Sequence, residues 1–597
     1  MSTVEARTDR KLLSGNEAIA HAAYAAGVQV AAAYPGTPST EILENTARFP
    51  GIYCEWSVNE KVAMEVVIGA SFAGARAMTT MKHVGLNVAL DALMTFAYIG
   101  ANGGLVVVCA DDPGMHSSQN EQDNRALAKF ARVPMLEPSD SQECYDMLRL
   151  ALDISEEFGT PVIVRTTTRV SHSAGVVNLR DFERAPRSDR VYEKDISRTV
   201  AVPLFARRMR VALEDRLSRL SAYSDQTPLQ RVEKGDSRLG IVTSGISYQY
   251  AREAFPDASI LKLGMTYPLP GGVIREFASS VDRLYVVEEG DPHLEEQILA
   301  MGLKVEKPSV SLRIGELDPD RVESLACETT GRMCDIVKRE PVDGLPARPP
   351  VLCPGCSHRG VFYALNRLKA IVTGDIGCYS LGAFPPLSAM DTIVCMGASI
   401  GNAHGMEKAG QSGRVAAVIG DSTFFHSGIT GLLNIAYNRG KSTIIVLDNR
   451  TTAMTGHQEH PGTGRTLMGE QTLEARVEEV ARGVGIKRVR VIDPYDLENT
   501  HSVLKEELDA DEASVVVSKR PCVLGAKVPV ERQFVIDEEM CRACGACLRL
   551  GCPAIELGDA DPEDPGKRKV RINRVLCVGC GMCVQVCKFG AIGEVTT

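Results

Sequence analysis

The last part of the chain carries a doubled cysteine motif. Eight of the 18 cysteines form two runs there, C-x2-C-x2-C-x4-C-P and C-x2-C-x2-C-x3-C. The two runs are Cys541, Cys544, Cys547 and Cys552, then Cys577, Cys580, Cys583 and Cys587. Three thiolates spaced in this way can wrap one face of a cubane iron–sulfur cluster, while the fourth cysteine of each run reaches the other cluster. The motif therefore predicts two [4Fe-4S] clusters and one-electron chemistry.

The cross-over rule also divides the eight ligands between the two clusters. The first cluster takes Cys541, Cys544, Cys547 and Cys587, and the second takes Cys577, Cys580, Cys583 and Cys552. The run before Cys552 has four residues where three are usual, and Lys588 stands where a second proline is expected; either departure could shift a potential or make a cluster labile. A zinc ribbon and a disulfide knot are the alternatives, and neither explains a doubled motif with glycine and proline turns.

A second set of residues has the chemistry of a magnesium–diphosphate clamp. Asp421 follows Gly420, at which the backbone can approach a phosphate, and Asn449 stands 28 positions later, after the next predicted strand. A carboxylate, an amide oxygen and the carbonyl of Thr451 are few, hard oxygen ligands, which suit Mg²⁺ when phosphate and water complete the shell. The pattern resembles the thiamine diphosphate signature, in which Gly-Asp is followed about 25 to 30 residues later by Asn.

The elements that must position these residues are parallel α/β units. Near the start, a helix over 15–26 alternates with apolar strands over 28–33, 105–109 and 162–164. Continuous apolar strands between helices predict a parallel sheet covered on both faces. The same alternation returns late in the chain with strands over 415–419, 443–447 and 514–519, so the clamp residues fall at carboxyl ends of strands, where open α/β sheets bind ligands.

Breaks in this pattern predict four domains. An α/β domain over 1–185 is followed by a smaller α/β domain over 186–340, which begins with a charged helical connector that reads as a solvated face. The Pro-rich segment DGLPARPP separates this from a third α/β domain over 341–528. The cysteine-rich tail over 529–597 is a small two-cluster domain.

Composition excludes several classes of protein. The formal net charge of -10 offers no basic surface to nucleic acid, and the 44% of hydrophobic residues is ordinary for a globular chain. The N-terminal residues lack the apolar core of a signal peptide, and no apolar stretch is long enough for a bilayer. We expect a cytoplasmic protein with no nucleic-acid or membrane partner, in which clustered cysteines bind metal more often than they pair.

The motifs YPGTPST, CPGCSHRG, GDIGC, GDSTFFHSG and LDNRTTAMTGHQ, together with the tail, resemble the 2-oxoacid:ferredoxin oxidoreductases. The resemblance covers nearly the whole chain and is strongest to the alpha subunits of the indolepyruvate branch. It implies a pyrimidine-binding domain, a transketolase C-terminal-like domain, a diphosphate-binding domain and a ferredoxin domain, in this order over the four predicted ranges.

The resemblance also implies roles for single residues. Glu60 matches the glutamate that hydrogen-bonds the aminopyrimidine, although from its residue type alone it would be an exposed helix acid. Thr37 matches a threonine near the substrate carboxylate, against a turn or N-cap residue. His358 matches a polar residue at the diphosphate, against a surface or structural histidine. Met454 stands where some relatives carry asparagine, so that contact is not carried over. The residues matching the magnesium–diphosphate motif are Gly420, Asp421, Ser422, Asn449 and Thr451.

Four further cysteines match the ligands of a third cluster near the thiamine in this family. They are Cys353, Cys356, Cys378 and Cys522. A distributed set is less specific than the tail, and the CPGC sequence alone is also compatible with a turn or a dithiol.

The implied activity is thiamine-dependent oxidative decarboxylation of an arylpyruvate such as indolepyruvate, with coenzyme A as co-substrate and an external ferredoxin as electron acceptor. The products are the aryl-acetyl-CoA, CO₂ and reduced ferredoxin. A smaller beta subunit is the expected partner, in an alpha2beta2 assembly. Another 2-oxoacid substrate, a non-redox thiamine decarboxylase and an electron-relay subunit with a dead thiamine site are the alternatives. No residues identify an indole pocket, since Phe384, Phe424 and Phe425 fit core and contact equally.

Overall fold

The computed structural model describes residues 9–180, 192, 194–307, 312–333, 344–345, 349–411, 413–525, 532–560 and 568–595. They fall into two compact units, Met1–Pro341 (unit 1) and Val342–Thr597 (unit 2). The Pro-rich segment predicted as a linker lies mostly outside the described residues. No helix in the described part of the chain has the length and apolar run that a membrane span needs.

Unit 1 contains thirteen described strands and thirteen described helices. The strands are β1 (Asp9–Ser14), β2 (Val30–Ala33), β3 (Tyr53–Trp56), β4 (Ala77–Lys82), β5 (Leu105–Asp111), β6 (Met135–Leu136), β7 (Val162–Thr167), β8 (Ala174–Leu179), β9 (Gln230–Glu233), β10 (Asp236–Ser244), β11 (Ala258–Leu263), β12 (Met265–Tyr267) and β13 (Leu284–Val287). The helices are α1 (Gly15–Ala25), α2 (Thr40–Thr46), α3 (Glu60–Phe72), α4 (His83–Ile99), α5 (Asn124–Ala131), α6 (Ser141–Phe158), α7 (Thr168–His172), α8 (Ile196–Thr199), α9 (Pro203–Gln226), α10 (Ser247–Ala254), α11 (Gly271–Ser279), α12 (His293–Ala300) and α13 (Pro319–Thr330).

The main sheet of unit 1 has seven strands in the order β12-β6-β7-β5-β4-β2-β3. All neighbours are parallel except β12, which runs antiparallel to β6. Every residue of β5 and β7 is buried, as the continuous apolar runs predict for a sheet covered on both faces. A second sheet has the order β13-β10-β11-β9. Strand β12 follows β11 in sequence but does not join this sheet, and it extends the larger one instead.

Buried ion pairs lie within the main sheet of unit 1 and between it and the second sheet. Arg125, in α5, donates through Nη1 to Glu288 at 2.8 Å, just past β13. Arg165, in β7, donates to Asp111 at 2.7 Å and to Glu137 at 3.0 Å. Each of these buried guanidinium groups therefore has carboxylate partners, which a charge removed from water requires.

The charged connector differs from its prediction as a purely solvated face. It forms the long helix α9, which packs on α4 and buries a stripe of residues at helical spacing, including Leu213 and Leu220. Arg216 in this stripe is only 8% exposed and donates through Nη1 to the carbonyl of Ala97 at 2.7 Å. The charges line the outer side of a packed helix, so the segment is part of the core of unit 1 as well as a connector.

Unit 2 begins with an α/β domain. Its strands are β14 (Ile371–Gly374), β15 (Thr392–Ile393), β16 (Val415–Gly420), β17 (Thr443–Asp448), β18 (Arg488–Ile492) and β19 (Ser514–Lys519). Its helices are α14 (Arg359–Leu368), α15 (Ala398–Lys408), α16 (Asp421–Thr423), α17 (Ile429–Tyr437), α18 (Val477–Gly483) and α19 (Leu497–Leu508), with 3₁₀ turns at Cys378–Ala383 and Ala453–Thr455 and a π turn at Phe424–Gly428. The sheet is wholly parallel, in the order β15-β14-β16-β17-β19-β18.

The tail of unit 2 is a small domain of two antiparallel pairs. The elements are β20 (Gln533–Ile536), β21 (Ile555–Ala560), β22 (Arg568–Ile572), β23 (Ile592–Val595), α20 (Met582–Val586) and a 3₁₀ turn at Cys547–Leu550. β20 pairs with β23 and β21 pairs with β22. The fold class is therefore the predicted one: parallel α/β domains followed by a small cysteine-rich domain.

Candidate cofactor sites

The two predicted clamp residues lie at adjacent strand ends in unit 2. Strands β16 and β17 are parallel neighbours, with Gly420 opposite Leu447. Asp421 follows β16 directly and Asn449 follows β17 directly, and both side chains are buried. The sheet thus brings together an acid and an amide that are 28 positions apart in sequence, at the edge where ligands of open α/β sheets bind.

The Asp421 carboxylate is held in its ionised form. Burial works against ionisation, but His460 and the main-chain N–H groups of Ser422 and Arg450 outweigh it and lower the pKa of Asp421. Ser422 donates to Oδ1 at 2.9 Å and Arg450 donates to Oδ2 at 2.8 Å. Because both donors are fixed by the backbone, the carboxylate has one orientation and a charge that a divalent cation can use.

His460 is a residue of this site that the sequence analysis missed. Its Nε2 lies 3.2 Å from Oδ2 of Asp421, yet it has no hydrogen bond of good geometry. Its Nδ1 accepts from the N–H of Gly462 at 3.1 Å, so Nε2 is the ring nitrogen that faces Asp421. The only pointer in the sequence was its position shortly after the LDNRTTAMTGHQ motif.

His358 lies beside the clamp and is not a surface histidine. It is 4% exposed, and its Nε2 is 3.5 Å from Nδ2 of Asn449. Burial lowers the pKa of His358 to about 4, although the charge of Asp421 acts in the opposite direction. The ring of Tyr379 meets it edge-on, with centroids 5.9 Å apart. His358 is therefore a neutral group at the clamp near neutral pH.

The other predicted diphosphate residues surround the same point. A Cβ on Gly420 would lie 2.7 Å from the ring of Tyr379, so the glycine is needed here for packing as well as for access. The hydroxyl of Ser422 accepts from Thr452 at 2.9 Å. The N–H of Thr451 donates to Oδ1 of Asn449 at 3.2 Å, which fixes the amide side chain in a turn.

The four cysteines of the predicted third cluster come together next to this clamp. Burial, and then Cys522 and Cys353, raise the pKa of Cys378 to about 11. Burial also raises the pKa of Cys356 to about 12, with smaller contributions from Cys353 and Cys378, while the N–H of His358 donates to its sulfur. Thiols that raise one another's pKa are close neighbours, so the set is assembled although its members span 170 positions.

Two short links join the cysteine set to the clamp. The N–H of Cys522 donates to the main-chain carbonyl of Asn449 at 2.9 Å. On the other side, His358 follows Cys356 by two residues at the start of α14. Asp375, at the end of β14, fixes the GDIGC loop by accepting from the N–H groups of Ile376 and Gly397 at 2.9 Å.

The tail cysteines form the two predicted groups in part. Burial, and then Cys580, Cys552 and Cys577, raise the pKa of Cys583 to about 12, so these four thiols are neighbours. Burial, and then Cys544 and Cys541, raise the pKa of Cys547. The first of these groups is the predicted second cluster and the other belongs to the predicted first cluster, and the assignment of Cys587 to the first cluster stays a prediction. All cysteines within the described ranges are free.

The proposed donor sets consist of cysteine thiols, which are the ligands of a cubane cluster. A cubane spreads its four thiolates over separate irons. Cys552, Cys577, Cys580 and Cys583 line one small cavity of about 30 Å³ together with Pro354 and Gly355 of the CPGC loop. The donor sets therefore fit iron–sulfur clusters.

The CPGC loop packs directly on the tail domain. A Cβ on Gly355 would lie 2.1 Å from Cγ2 of Val578, and its φ of +65° also favours glycine. The hydroxyl of Tyr495 donates to the carbonyl of Gly355, and the guanidinium of Arg520 lies 3.7 Å from the centroid of the Tyr495 ring. The loop that carries Cys353 and Cys356 thus contacts the segment between Cys577 and Cys580.

Glu60, in unit 1, is buried and not an exposed helix acid. It is 4% exposed at the first position of α3, a helix capped by Asn59, which accepts from the N–H of Val62 at 2.9 Å. A Cβ on Gly85 would lie 2.8 Å from Oε1 of Glu60, so the glycine in α4 makes room for the carboxyl group. A buried acid at a helix N-terminus is a feature of functional sites.

Thr37 and Lys82 lie close to one another in unit 1. The side chain of Lys82 packs over Gly36, where an added Cβ would lie 3.2 Å from it, and Thr37 follows in the half-buried loop after β2. Burial lowers the pKa of Lys82, against the opposing charges of Asp112 and Glu60. The sequence analysis missed this lysine, because only burial near Glu60 distinguishes it from a surface lysine.

The aromatic residues separate into core and surface. Phe424 is fully buried in the core of unit 2, while Phe384 is 56% exposed. Phe425 lies next to the clamp, with its ring centroid 5.9 Å from that of His460. Met454 is half exposed.

Three family models match successive parts of the chain. Residues 21–213 match pyruvate flavodoxin/ferredoxin oxidoreductase, thiamine diphosphate-binding. Residues 375–518 match the C-terminal binding domain of thiamine pyrophosphate enzymes, and residues 540–591 match a 4Fe-4S dicluster domain. The clamp and the eight tail cysteines fall within the second and third matches.

Full-length relatives are similar over nearly the whole chain. The indolepyruvate oxidoreductase subunit IorA of Methanothermobacter thermautotrophicus is 43% identical over 98% of this chain and 97% of its own. The subunit of the same name from Pyrococcus horikoshii is 41% identical over the same shares. A solved 2-oxoglutarate:ferredoxin oxidoreductase from Magnetococcus marinus is 19% identical, covering 54% of this chain and 65% of its own, with a TM-score of 0.46.

The parallel α/β domains, the strand-end clamp and the cysteine tail define a thiamine-diphosphate-dependent, iron–sulfur 2-oxoacid:ferredoxin oxidoreductase. Within that class, the chain belongs to the family of the indolepyruvate oxidoreductase subunits IorA.

Proposed function

We propose that this chain catalyses the CoA-dependent oxidative decarboxylation of arylpyruvates, indolepyruvate in particular, and passes the electrons to ferredoxin. The observation that carries the proposal is the shared architecture in unit 2. There, the main-chain carbonyl of Asn449 accepts from the N–H of Cys522 at 2.9 Å, so a clamp residue and a cluster ligand are in direct contact. That contact would place a cluster beside the bound cofactor, where an electron acceptor is needed.

Asp421, Asn449 and the carbonyl of Thr451 would hold Mg²⁺ on the diphosphate of the cofactor. Supporting this role, Asp421 is ionised and Asn449 is fixed by the N–H of Thr451 at 3.2 Å. Bound thiamine supplies the carbanion chemistry that decarboxylation of a 2-oxoacid requires. His358, being neutral and buried, can donate a hydrogen bond to a phosphate oxygen without adding a charge.

In unit 1, Glu60 would hydrogen-bond the aminopyrimidine, a role that its burial at the start of α3 supports. A carboxylate in that position holds a proton and returns it, which is general acid–base work. Thr37 would contact the substrate carboxylate. Lys82 adds a cation beside Gly36, where it would favour an anionic substrate group.

Electrons would leave one at a time through three [4Fe-4S] clusters. The third set, Cys353, Cys356, Cys378 and Cys522, is the one next to the clamp and would receive them first. The tail clusters would pass them on to ferredoxin. Coenzyme A would then take the acyl group as a thioester.

A partner subunit completes the proposal. The full-length relatives are named as subunits, which supports an assembly with a smaller beta subunit, in alpha2beta2 stoichiometry. The same names support indolepyruvate as the substrate. The exposed ring of Phe384 is not used as evidence for an indole pocket.

An anaerobic assay tests the proposal. The chain and its partner subunit would be mixed with pyruvate, 2-oxoglutarate or one of several arylpyruvates, and reduction of a viologen dye would be followed with and without coenzyme A. We expect dye reduction to be fastest with indolepyruvate and to depend on coenzyme A. Faster reduction with pyruvate or 2-oxoglutarate would assign another substrate. Release of aldehyde with the dye still oxidised would show a non-redox decarboxylase instead.

A further inference from the structure

Arg359 is a buried cation without a carboxylate partner. Its side chain, at the start of α14, belongs to a residue that is 1% exposed. All its hydrogen bonds in the described part of the chain go to main-chain carbonyls: Nη1 donates to Leu550 at 2.6 Å, and Nη2 donates to Leu352 at 2.8 Å and to Cys353 at 2.9 Å. Its Nε has no hydrogen-bond partner among the residues that the structure describes. The buried Arg125 and Arg165 of unit 1, by contrast, each bind carboxylates.

Three carbonyl bonds do not balance a buried positive charge. A guanidinium keeps its proton at any ordinary pH, so it cannot escape the cost of burial by neutralising. An unpaired charge in a dry interior is unfavourable by several kcal/mol, on the order of the desolvation of one ion. An anion beside Arg359 would therefore offset the cost of burying its charge.

The surroundings of Arg359 identify that anion. Arg359 follows Cys356 by three residues at the start of α14. It lines the same cavity as Cys552, Cys577 and Cys583. The carbonyls that it binds belong to Cys353, in one cysteine set, and to Leu550, two residues before Cys552 in the other. Arg359 thus lies between the third cysteine set and the second tail set.

We propose that Arg359 is the shared counter-charge of the two clusters held by these cysteine sets, and that it raises the reduction potentials of both. Here the inference rests on the proposed clusters. A cubane with four thiolates is a net anion and gains one more negative charge on reduction. A fixed cation at the junction stabilises the reduced form more than the oxidised form, because cluster potentials depend on nearby charge. When one electron passes across the junction, the third cluster is reoxidised as the tail cluster is reduced, and no proton is needed. Arg359 is a positioning residue, since it acts through the clusters and touches no substrate.

Three variants of the full chain, purified anaerobically with the partner subunit, test this role. Arg359→Gln removes the charge, Arg359→Lys keeps it, and Arg549→Gln removes an exposed arginine next to Leu550 as the control. Cluster potentials are measured by EPR-monitored redox titration, and iron and thiamine contents are determined on the same samples. The Cys378→Ala background separates the tail signals from those of the third cluster.

We expect Arg359→Gln to lower the potential of at least one cluster by a tenfold or larger change in its one-electron reduction equilibrium, which is about 59 mV. The cluster potentials of Arg359→Lys should differ from those of the wild type by much less than this shift, and the variant should keep its iron. The control, Arg549→Gln, should match the wild type. An iron-replete Arg359→Gln protein with wild-type potentials would overturn the proposal.

If Arg359→Gln does not load iron, Arg359→Lys still tests whether Arg359 acts through its charge. A lysine variant with full iron and near-wild-type potentials supports the counter-charge, because only the charge is retained. If Arg359→Lys loses its clusters, or if its cluster potentials fall by about 59 mV, the proposal is overturned. That result would show that the hydrogen bonds of the guanidinium matter and its charge does not. Wild-type protein without iron would instead refute the proposed function, so the two failures are distinguishable.

Discussion

Replacement of Asp421 gives the sharpest test of the clamp. In Asp421→Ala, the proposed Mg²⁺ site would lose its one proposed charged ligand, and the N–H groups of Ser422 and Arg450 lose their acceptor. Asp421→Asn removes the charge but keeps one oxygen to accept from either group. We expect both variants to lose thiamine diphosphate and Mg²⁺ while they keep the iron of the tail.

The size of each effect follows from these contacts. Leaving two buried N–H groups unsatisfied costs about 1–3 kcal/mol each, so the alanine variant should be destabilised by about 2–6 kcal/mol and the asparagine variant by about half as much. Loss of a partner in the outer shell of a metal already costs about 10–100-fold in affinity. Loss of a direct ligand should therefore weaken cofactor retention by about 100-fold or more, which is about 2.8 kcal/mol.

The assay measures thiamine, magnesium and iron in desalted, anaerobically purified protein, and titrates thiamine diphosphate into the apo form by fluorescence. Asp448→Asn is the matched control, because Asp448 is a buried carboxylate at the end of β17 and is not a proposed ligand. Burial, and then Asp421, raise the pKa of Asp448 to about 6, so its removal should not weaken the clamp. Full thiamine in Asp421→Asn, or equal loss in Asp448→Asn, would refute the reasoning.

Three further variants have defined outcomes. Glu60→Gln should keep bound thiamine yet lose dye reduction, whereas Glu65→Gln, on the exposed side of the same helix, should remain active; near-normal turnover of Glu60→Gln would remove Glu60 from the catalytic residues. Cys378→Ala should lower iron content by about one cluster's worth, and Cys395→Ala, an exposed thiol, should not; unchanged iron in the former would leave only the tail clusters. Burial raises the pKa of Glu289 from 4.5 to about 7, so the folded chain binds this proton more tightly than the unfolded chain, and the contribution of Glu289 to stability falls as pH rises through that range. Glu289→Gln should therefore raise the urea midpoint, followed by circular dichroism, at about pH 8 and change it little at about pH 5; a lower midpoint at the higher pH would contradict this.

The parts of the fold that depend on local sequence were predictable. The strands before Asp421 and Asn449 were placed within one residue of their ends, because short continuous apolar runs between helices are typical of a buried parallel strand. The grouping of Cys552 with Cys577, Cys580 and Cys583 was likewise foreseen, since the ligand spacing of a cubane is specified by the chain itself.

What the sequence could not give was burial produced by distant packing. Glu60 reads as an exposed acid until Gly85 of the next helix is placed beside it. Arg359 and His460 carry no spacing that distinguishes them from ordinary polar residues, and each acquires its environment from elements more than thirty positions away. For the charged connector, the helix was predicted but its buried stripe was not, because a helix can present charges outward and still bury one face.

Strand β12 limits how this protein can be cut or recombined. Met265–Tyr267 belongs by sequence to the second predicted domain but forms the outer strand of the first sheet, where it covers β6. A fragment that stops near residue 185 would expose the unpaired edge of β6, which invites aggregation. Chimeras that exchange the second domain would have to bring a matching three-residue strand with them, so the two halves of unit 1 have to be inherited, expressed and engineered together.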